Sequence, residues 1–279
     1  MQTPPALTDR RALQRNRARA SRNPADHFLL HEVIADVQER LNLVNKSFTK
    51  PAIVTAFPDL WRTDFPAAVI IPDDDMLTLS PGAHDLVIHA LALHWANDPV
   101  GQLVQCRRAL APDGLFLGFL LGGQTLHELR AALAGAEAQI TGGLSPRVVP
   151  TGEIRDLGGL LQRAGLALPV ADSFTRTVRY RDLWHLMADL RGMGEQNALA
   201  ARLRCPTRRE VFARAAQIYA TTWGGPDGRI PATFDLIALT GWAAHDSQQQ
   251  PLRPGSAVHR LADALRTAEA PLPRDTAKG

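Results

Sequence analysis

No glycine occurs before Gly82 in a chain of 279 residues that holds 21 of them. Glycine lets a backbone turn tightly and come close to a phosphate or cofactor. A glycine-rich nucleotide loop is therefore excluded from the first quarter of the chain, where many α/β enzymes carry one. Cysteine is scarcer still: Cys106 and Cys205 stand alone and far apart, supporting neither a disulfide framework nor a paired-thiol motif. Long apolar runs are missing too. Residues 86–96, interrupted by His89 and His94, and 115–121 fall far short of the roughly 18–20 residues that cross a bilayer. No apolar signal core opens the chain, so no membrane span and a cytoplasmic compartment are expected.

Charge is present but unevenly placed. The net charge is +3, yet residues 1–23 hold Arg10, Arg11, Arg15, Arg17, Arg19 and Arg22 against Asp9 alone, a local +5 that leaves −2 on the rest. Such a basic arm suits an acidic surface, nucleic acid or an organellar presequence. No aromatic residue interleaves these arginines and only three lysines occur in the chain, so a nucleic-acid partner is not expected. The body, 45% hydrophobic, can fill one large domain core.

Periodicity orders that body. Leu30, Val33, Ile34, Val37, Leu41 and Val44 recur at spacings of three and four and predict a helix. Short apolar runs at 52–54, 67–71, 85–93 and 115–121 predict strands, and Val100, Leu103 and Val104 begin a helix between the last two. Pro112-Asp113-Gly114 predicts a turn. Strand, helix and strand in this order make a βαβ unit and a mainly parallel sheet covered on both faces. Further on, helices are expected around Leu126–Leu129–Leu133–Ile140, around Ile154–Leu157–Leu161 with Gly165 as its stop, and around Leu183–Leu186–Leu190. A fourth is expected to open on a Thr207/Glu210 capping box. Strands are expected at 170–180 and 232–239.

The segment HDLVIHALALHWANDPVGQLVQCRRALAPDGLFLGFLLGG, residues 84–123, resembles the fourth strand, helix and fifth strand of class I S-adenosylmethionine (SAM)-dependent methyltransferases. GGQTLHELR, GGLSPRVVPTGEIRDLGGLLQRAG, LMADLRGMGEQNA and PATFDLIALTGWA follow in order. With the opening LTDRRALQRNRARASR, they resemble the complex I assembly factor 5 family and its bacterial members, neighbours of the malonyl-carrier-protein methyltransferases of biotin synthesis. The resemblance implies a Rossmann-like class I methyltransferase fold, its sheet ending in an antiparallel hairpin with helices inserted as a cap. It implies SAM as cofactor and a protein client, a respiratory complex I subunit among the candidates. The mitochondrial member is associated with arginine hydroxylation rather than methyl transfer, and the alternatives to a methyltransferase are a protein-arginine hydroxylase or a non-catalytic, chaperone-like assembly factor for a respiratory complex. A site of action peripheral to the inner membrane follows from the same likeness. The expected organisation is a basic arm at 1–25, a methyltransferase-like domain at 26–245 with a helical insert at about 182–222, and a tail with a short helix at 246–279.

Two departures stand out. The turn after the first strand of this fold normally reads GxGxG, whereas residues 53–61 read IVTAFPDLW. Every glycine is missing, Phe57 and Trp61 add bulk, and Pro58 removes an amide donor. Only 32 positions separate Ile53 from Asp85, an interval that usually holds two further βα units, each crossover taking roughly a dozen residues. The N-terminal half is thus truncated.

The resemblance puts Asp73, Asp74 and Asp75 where the family has an acidic pair beside the adenine. Asp73 and Asp74 are the cofactor candidates, with a solvated acidic turn as the alternative. His94 and Trp95 lie at the carboxyl end of a central strand, where open α/β sheets place ligands. His94 is a cofactor candidate and Trp95 a pocket candidate, with a buried core pair as the alternative. Gln124 and Thr125 face the same crevice or simply open a helix. The polar stretch 193–197 either closes over a substrate or turns between helices. His27 and His31 have the spacing of a metal pair but no third ligand, and no metal is expected. His89 and His94, read as one strand, fall on opposite faces. No GxSxG elbow occurs, and no residue stands out as a catalyst.

Overall fold

The computed structural model describes residues 5–22 and 27–248. In chain order the elements are α1 (Arg10–Ala20), α2 (Phe28–Leu43), β1 (Pro51–Val54), α3 (Pro58–Arg62), β2 (Val69–Ile71) and β3 (His84–His89). A 3-10 turn (Leu93–Trp95) leads to α4 (Pro99–Ala109), β4 (Leu110–Leu121), α5 (His127–Thr141) and α6 (Ile154–Arg163). β5 (Ala167–Tyr180), α7 (Leu183–Gly192), α8 (Arg209–Trp223) and β6 (Ile230–Trp242) complete the series.

One six-stranded sheet runs in the order β2-β1-β3-β4-β6-β5. The first four strands are parallel, because helices or long connections return the chain to the same edge. β6 is antiparallel to both β4 and β5, closing the sheet with the expected hairpin, and α7 and α8 lie between its two strands in sequence. This is a Rossmann-like class I methyltransferase arrangement. Its truncation is visible: only the five-residue α3 and the three-residue β2 occupy the interval between β1 and β3.

Strands buried on both faces need a core on each side. Leu29, Val33 and Val37 of α2, with residues of α5, α7 and α8, pack against Ile53, Ile88, Leu117 and Phe119. Leu103 and Cys106 of α4 and Leu157 and Leu161 of α6 pack against Ala52, Val54, Val87 and Phe116 on the other face. Burial raises the Cys106 thiol pKa to about 12, so it is an inert core side chain.

The basic N-terminal stretch forms a third, smaller contact. Asp9 caps α1 by accepting from the Ala12 amide at 3.1 Å and pairs with Arg202 at 2.9 Å. Leu13 is fully buried and packs with Trp95, Val149 and Leu199, a burial that stabilises by about 2 kcal/mol. Thr8 bridges to Leu199, and the Asn97 side-chain amide brackets the Thr8 backbone on both its N–H (2.8 Å) and its C=O (3.3 Å).

Three local expectations are corrected. The third strand stops at His89 instead of continuing to residue 93, because Leu91 takes a left-handed backbone (φ 49°) and the 3-10 turn follows. His89 and His94 therefore do not share a strand. The turn at 112–114 is an irregularity inside β4, with Asp113 at φ 60° and a register shift against β3. The Thr207/Glu210 capping box does not form: Arg208 is the N-cap of α8, and the Thr207 hydroxyl accepts from Arg147 Nη1 at 2.7 Å. The stop at Gly165 does form, at φ 77°, a conformation costly for any other residue. The tail helix expected beyond 246 lies outside the described residues.

Candidate functional site

Ligands of open α/β sheets bind outside the carboxyl ends of the strands, where the strand order reverses. In this chain that edge carries two adjoining spaces with opposite characters. The first lies beyond β1 and β3 and the second beyond β4, under α7 and α8.

The first space is filled by the protein. Phe57, from the loop after β1, stacks obliquely on His27 with ring centroids 4.5 Å apart. Arg17 reaches in from α1, only 7% exposed, and its Nη1 donates to Asp73 Oδ1 at 2.6 Å. Arg10 donates to Asp73 Oδ2 at 3.2 Å and also to the Asp73 carbonyl, and comes within 3.7 Å of Asp74 and 3.8 Å of Asp75. Burial opposes ionisation of Asp73, but the two guanidinium groups outweigh it and hold the carboxyl below its usual range. Gly194, at φ 78°, sits so close that a side chain there would meet Arg17 and Phe57 at 3.2 Å. About 20 Å³ of space remains among Arg17, His27, Phe57, Leu91, Met193 and Glu195, room for roughly one water. The sulfonium cofactor implied by the resemblance does not fit this crevice. Bulk stands where its loop needs glycine, and the buried Asp73 carboxylate is already engaged by arginine.

Asp74 and Asp75 are more exposed than Asp73, with side-chain exposures of 51% and 62%. Asp74 and Asp73 border an open groove between α1 and the ends of β1 and β2, lined also by Arg10, Gln14, Arg62 and Ile70.

The second space is a real cavity, of about 220 Å³. Leu121, Leu126, Leu129, Leu133 and Phe234 form its sheet-side wall, and Met187, Leu190 and Phe212 of the cap form the other. Polar groups gather at one end. Trp95 Nε1 donates to Glu195 Oε2 at 2.7 Å, and His94 Nε2 lies 3.2 Å from the same oxygen. The Leu121 amide, able only to donate, points to His94 Nδ1 at 3.4 Å, so the His94 proton sits on Nε2 and is donated to Glu195. Burial works against the Glu195 charge, but the His94 imidazole, Arg17 and the Trp95 indole hold it ionised below the usual carboxylate range. Glu195 Oε1 accepts nothing among the described residues. Beside it, Gln196 Nε2 is buried with no hydrogen-bond partner among them.

Trp95 and Thr125 thus line the cavity, and His94 supports its carboxylate from behind. Thr125 is tied elsewhere: its hydroxyl donates to the Asp235 carbonyl at 3.1 Å and accepts from the Asp235 amide at 3.0 Å. Gln124 is exposed and is not among the lining residues. Asp73 and Asp74 border the open groove beside α1 instead. Asp98 caps α4 through the Gly101 amide at 2.8 Å. The residues that sequence reasoning missed are Arg17, Arg147 and the particular role of Glu195 within the polar 193–197 stretch. Arg147 lines the cavity and pairs with Glu137. Among the described residues no group of three or more His, Cys, Asp or Glu side chains is arranged to hold a metal ion.

No family model matches the chain. Individual relatives do. The chain is 39% identical over 201 residues to the mitochondrial arginine-hydroxylase NDUFAF5 of Danio rerio, covering 72% of this chain and 62% of that protein. The figures for the Rattus norvegicus protein of the same name are 38% over 223 residues, 80% and 65%. A malonyl-[acyl-carrier protein] O-methyltransferase of Laribacter hongkongensis is 34% identical over 175 residues, 63% of this chain and 56% of that protein. The chain therefore spans less than two-thirds of the length of these relatives. Among solved structures, the YcgJ protein of Bacillus subtilis superposes with a TM-score of 0.43 at 12% identity, covering 72% of this chain and 94% of that one. Strand order and the cap between β5 and β6 give this chain a class I methyltransferase-like fold, and its sequence is similar to that of NDUFAF5, with no glycine in the loop after β1.

Proposed function

We propose that this chain binds a client protein by taking one of its arginine side chains into the cavity beneath the helical cap, with SAM playing no part in that binding. The observation that carries this reading is Glu195, an ionised carboxylate at the polar end of an otherwise apolar cavity, with Oε2 engaged by Trp95 and His94 and Oε1 left to a guest. A guanidinium supplies the donors that Oε1 lacks, its methylene stem suits the leucine walls, and a neighbouring peptide carbonyl can accept from Gln196 Nε2. Relatives named arginine-hydroxylases support arginine as the residue handled. By the same likeness the client is a respiratory complex I subunit and the chain serves its assembly, in the cytoplasm or at the inner-membrane surface. No helix among the described residues is long and apolar enough to cross a membrane.

The competing reading is SAM-dependent methylation, with Asp74 as the cofactor contact. Calorimetry separates the two. We expect no heat from SAM or S-adenosylhomocysteine up to millimolar concentration, and binding of an arginine-containing client peptide that a lysine-substituted peptide does not match. Micromolar SAM binding lost in Asp74→Ala would instead establish the methylation reading.

A further inference from the structure

We infer that the crevice beyond β1 and β3 is an organic-cation site that the chain fills with its own Arg17. The inference does not depend on which client the neighbouring cavity takes.

Burying a charge is expensive and is repaid only by close pairing and full hydrogen bonding. Arg17 is only partly repaid. Its side chain makes one hydrogen bond, Nη1 to Asp73, while Nε is buried with no partner among the described residues. A guanidinium placed for stability alone would use more of its five N–H donors. The surroundings nevertheless suit a cation. Asp73, which lines the adjoining open groove, pairs with Arg17 on one side, and Glu195 borders the crevice on the other. The His27 and Phe57 rings and Met193 supply polarizable, weakly polar walls.

The position explains the charge. This crevice is the ligand-binding edge of the fold, and the sulfonium donor implied by the sequence resemblance is itself an organic cation. The glycines that would admit it are absent, and a buried carboxylate, Asp73, stands at the rim. A buried carboxylate without cations nearby is costly, and Arg17, together with Arg10, balances this one. Gly194 completes the fit, since a larger residue there would press on Arg17 and Phe57 together. Because Glu195 borders both spaces, the resident cation also sets the field at the polar end of the client cavity.

Removing the guanidinium should leave a vacancy that a free guanidinium compound can refill. The test uses the full chain and the Arg17→Gly variant, melted in rising N-ethylguanidinium chloride with choline chloride as the control for ionic strength. The variant is expected to melt several degrees lower and to regain at least half of that loss in millimolar N-ethylguanidinium, following mass action. The wild type should not respond. Calorimetry should find one N-ethylguanidinium per variant chain and none per wild-type chain. SAM binding by the variant but not by the wild type would also support the site. A variant as stable as the wild type, one that N-ethylguanidinium does not restore, or a wild type that binds SAM micromolarly would overturn it. Should Arg17→Gly fail to fold, Arg17→Lys and Arg17→Met decide: lysine is expected to keep most of the melting temperature and the neutral methionine to lose it. Equal melting of the two would overturn the inference.

Discussion

The two ends of the same sheet edge have been treated in opposite ways. Beyond β1 and β3 the chain lacks glycines, has short connections and packs an arginine, a phenylalanine and a histidine into the space. Beyond β4 it has kept a long hairpin, a two-helix cap and a cavity of about 220 Å³. Both regions bury a carboxylate, yet the partners differ. Asp73 accepts from two guanidinium groups, whereas Glu195 accepts from an indole and an imidazole and keeps one oxygen unengaged among the described residues. A carboxylate neutralised by the protein belongs to structure; one that is ionised but only half satisfied is equipped to meet a ligand.

The most severe way to break this comparison is Arg17→Ala. It removes the closer of the two guanidinium partners of the buried Asp73 carboxylate and leaves only Arg10, at 3.2 Å, and a loss of about 3 kcal/mol in urea unfolding is expected. Adding Asp73→Ala to it should recover part of that loss, since the under-compensated buried charge goes too. If Arg17→Ala costs no more than a surface substitution, the closed region is not held by this pair.

A second effect concerns acid. A carboxyl whose folded pKa is depressed stabilises the protein above its ordinary value, near 3.8, and that contribution is lost as the pH falls through the folded value. The wild type should therefore lose stability below about pH 4, and the Arg17→Ala/Asp73→Ala variant should show a shallower acid limb in thermal melts.

The open region is tested by Glu195→Gln. The amide oxygen can still accept from Trp95 and His94, so the fold should survive with a cost of about 1–2 kcal/mol. Affinity for an arginine peptide should fall about tenfold or more, equivalent to about 1.4 kcal/mol. Unchanged affinity would remove Glu195 from the site. Asn97→Ala releases the bracket on Thr8 and should cost about 1 kcal/mol, without altering peptide binding. Smallest of all, Gln124→Ala should stay within about 0.5 kcal/mol of wild type and bind the peptide equally, because its exposed side chain borders neither space.

Much of this architecture was legible in the chain. Apolar runs at 52–54 and 115–121 are strands because they are buried on both faces, and Leu30, Val33 and Val37 define a helix because one side of it is buried. The candidate site was read less completely. His94, Trp95 and Thr125 are legible because they follow strands closely, but Gln124 beside Thr125 faces solvent. Arg17 was hidden among five other arginines of a basic stretch. One signal could have marked it: Leu13, Asn16, Arg17 and Ala20 lie three and four residues apart on the buried stripe of α1, where a solvated arginine would not stand. The 193–197 stretch was recognised as polar, but nothing local tells Glu195 apart from Gln196 or Asn197.

By itself, the sequence determined the strands, the helix faces and the absence of a glycine-built cofactor loop. These depend on neighbours within a few positions: hydrophobic period, chain stiffness and backbone freedom. Only the tertiary structure decided which of the two spaces is filled and which is open. That outcome rests on Arg17 meeting Asp73 across 56 positions and Trp95 meeting Glu195 across 100, and an ion pair or hydrogen bond depends on distance in space, which no local pattern encodes.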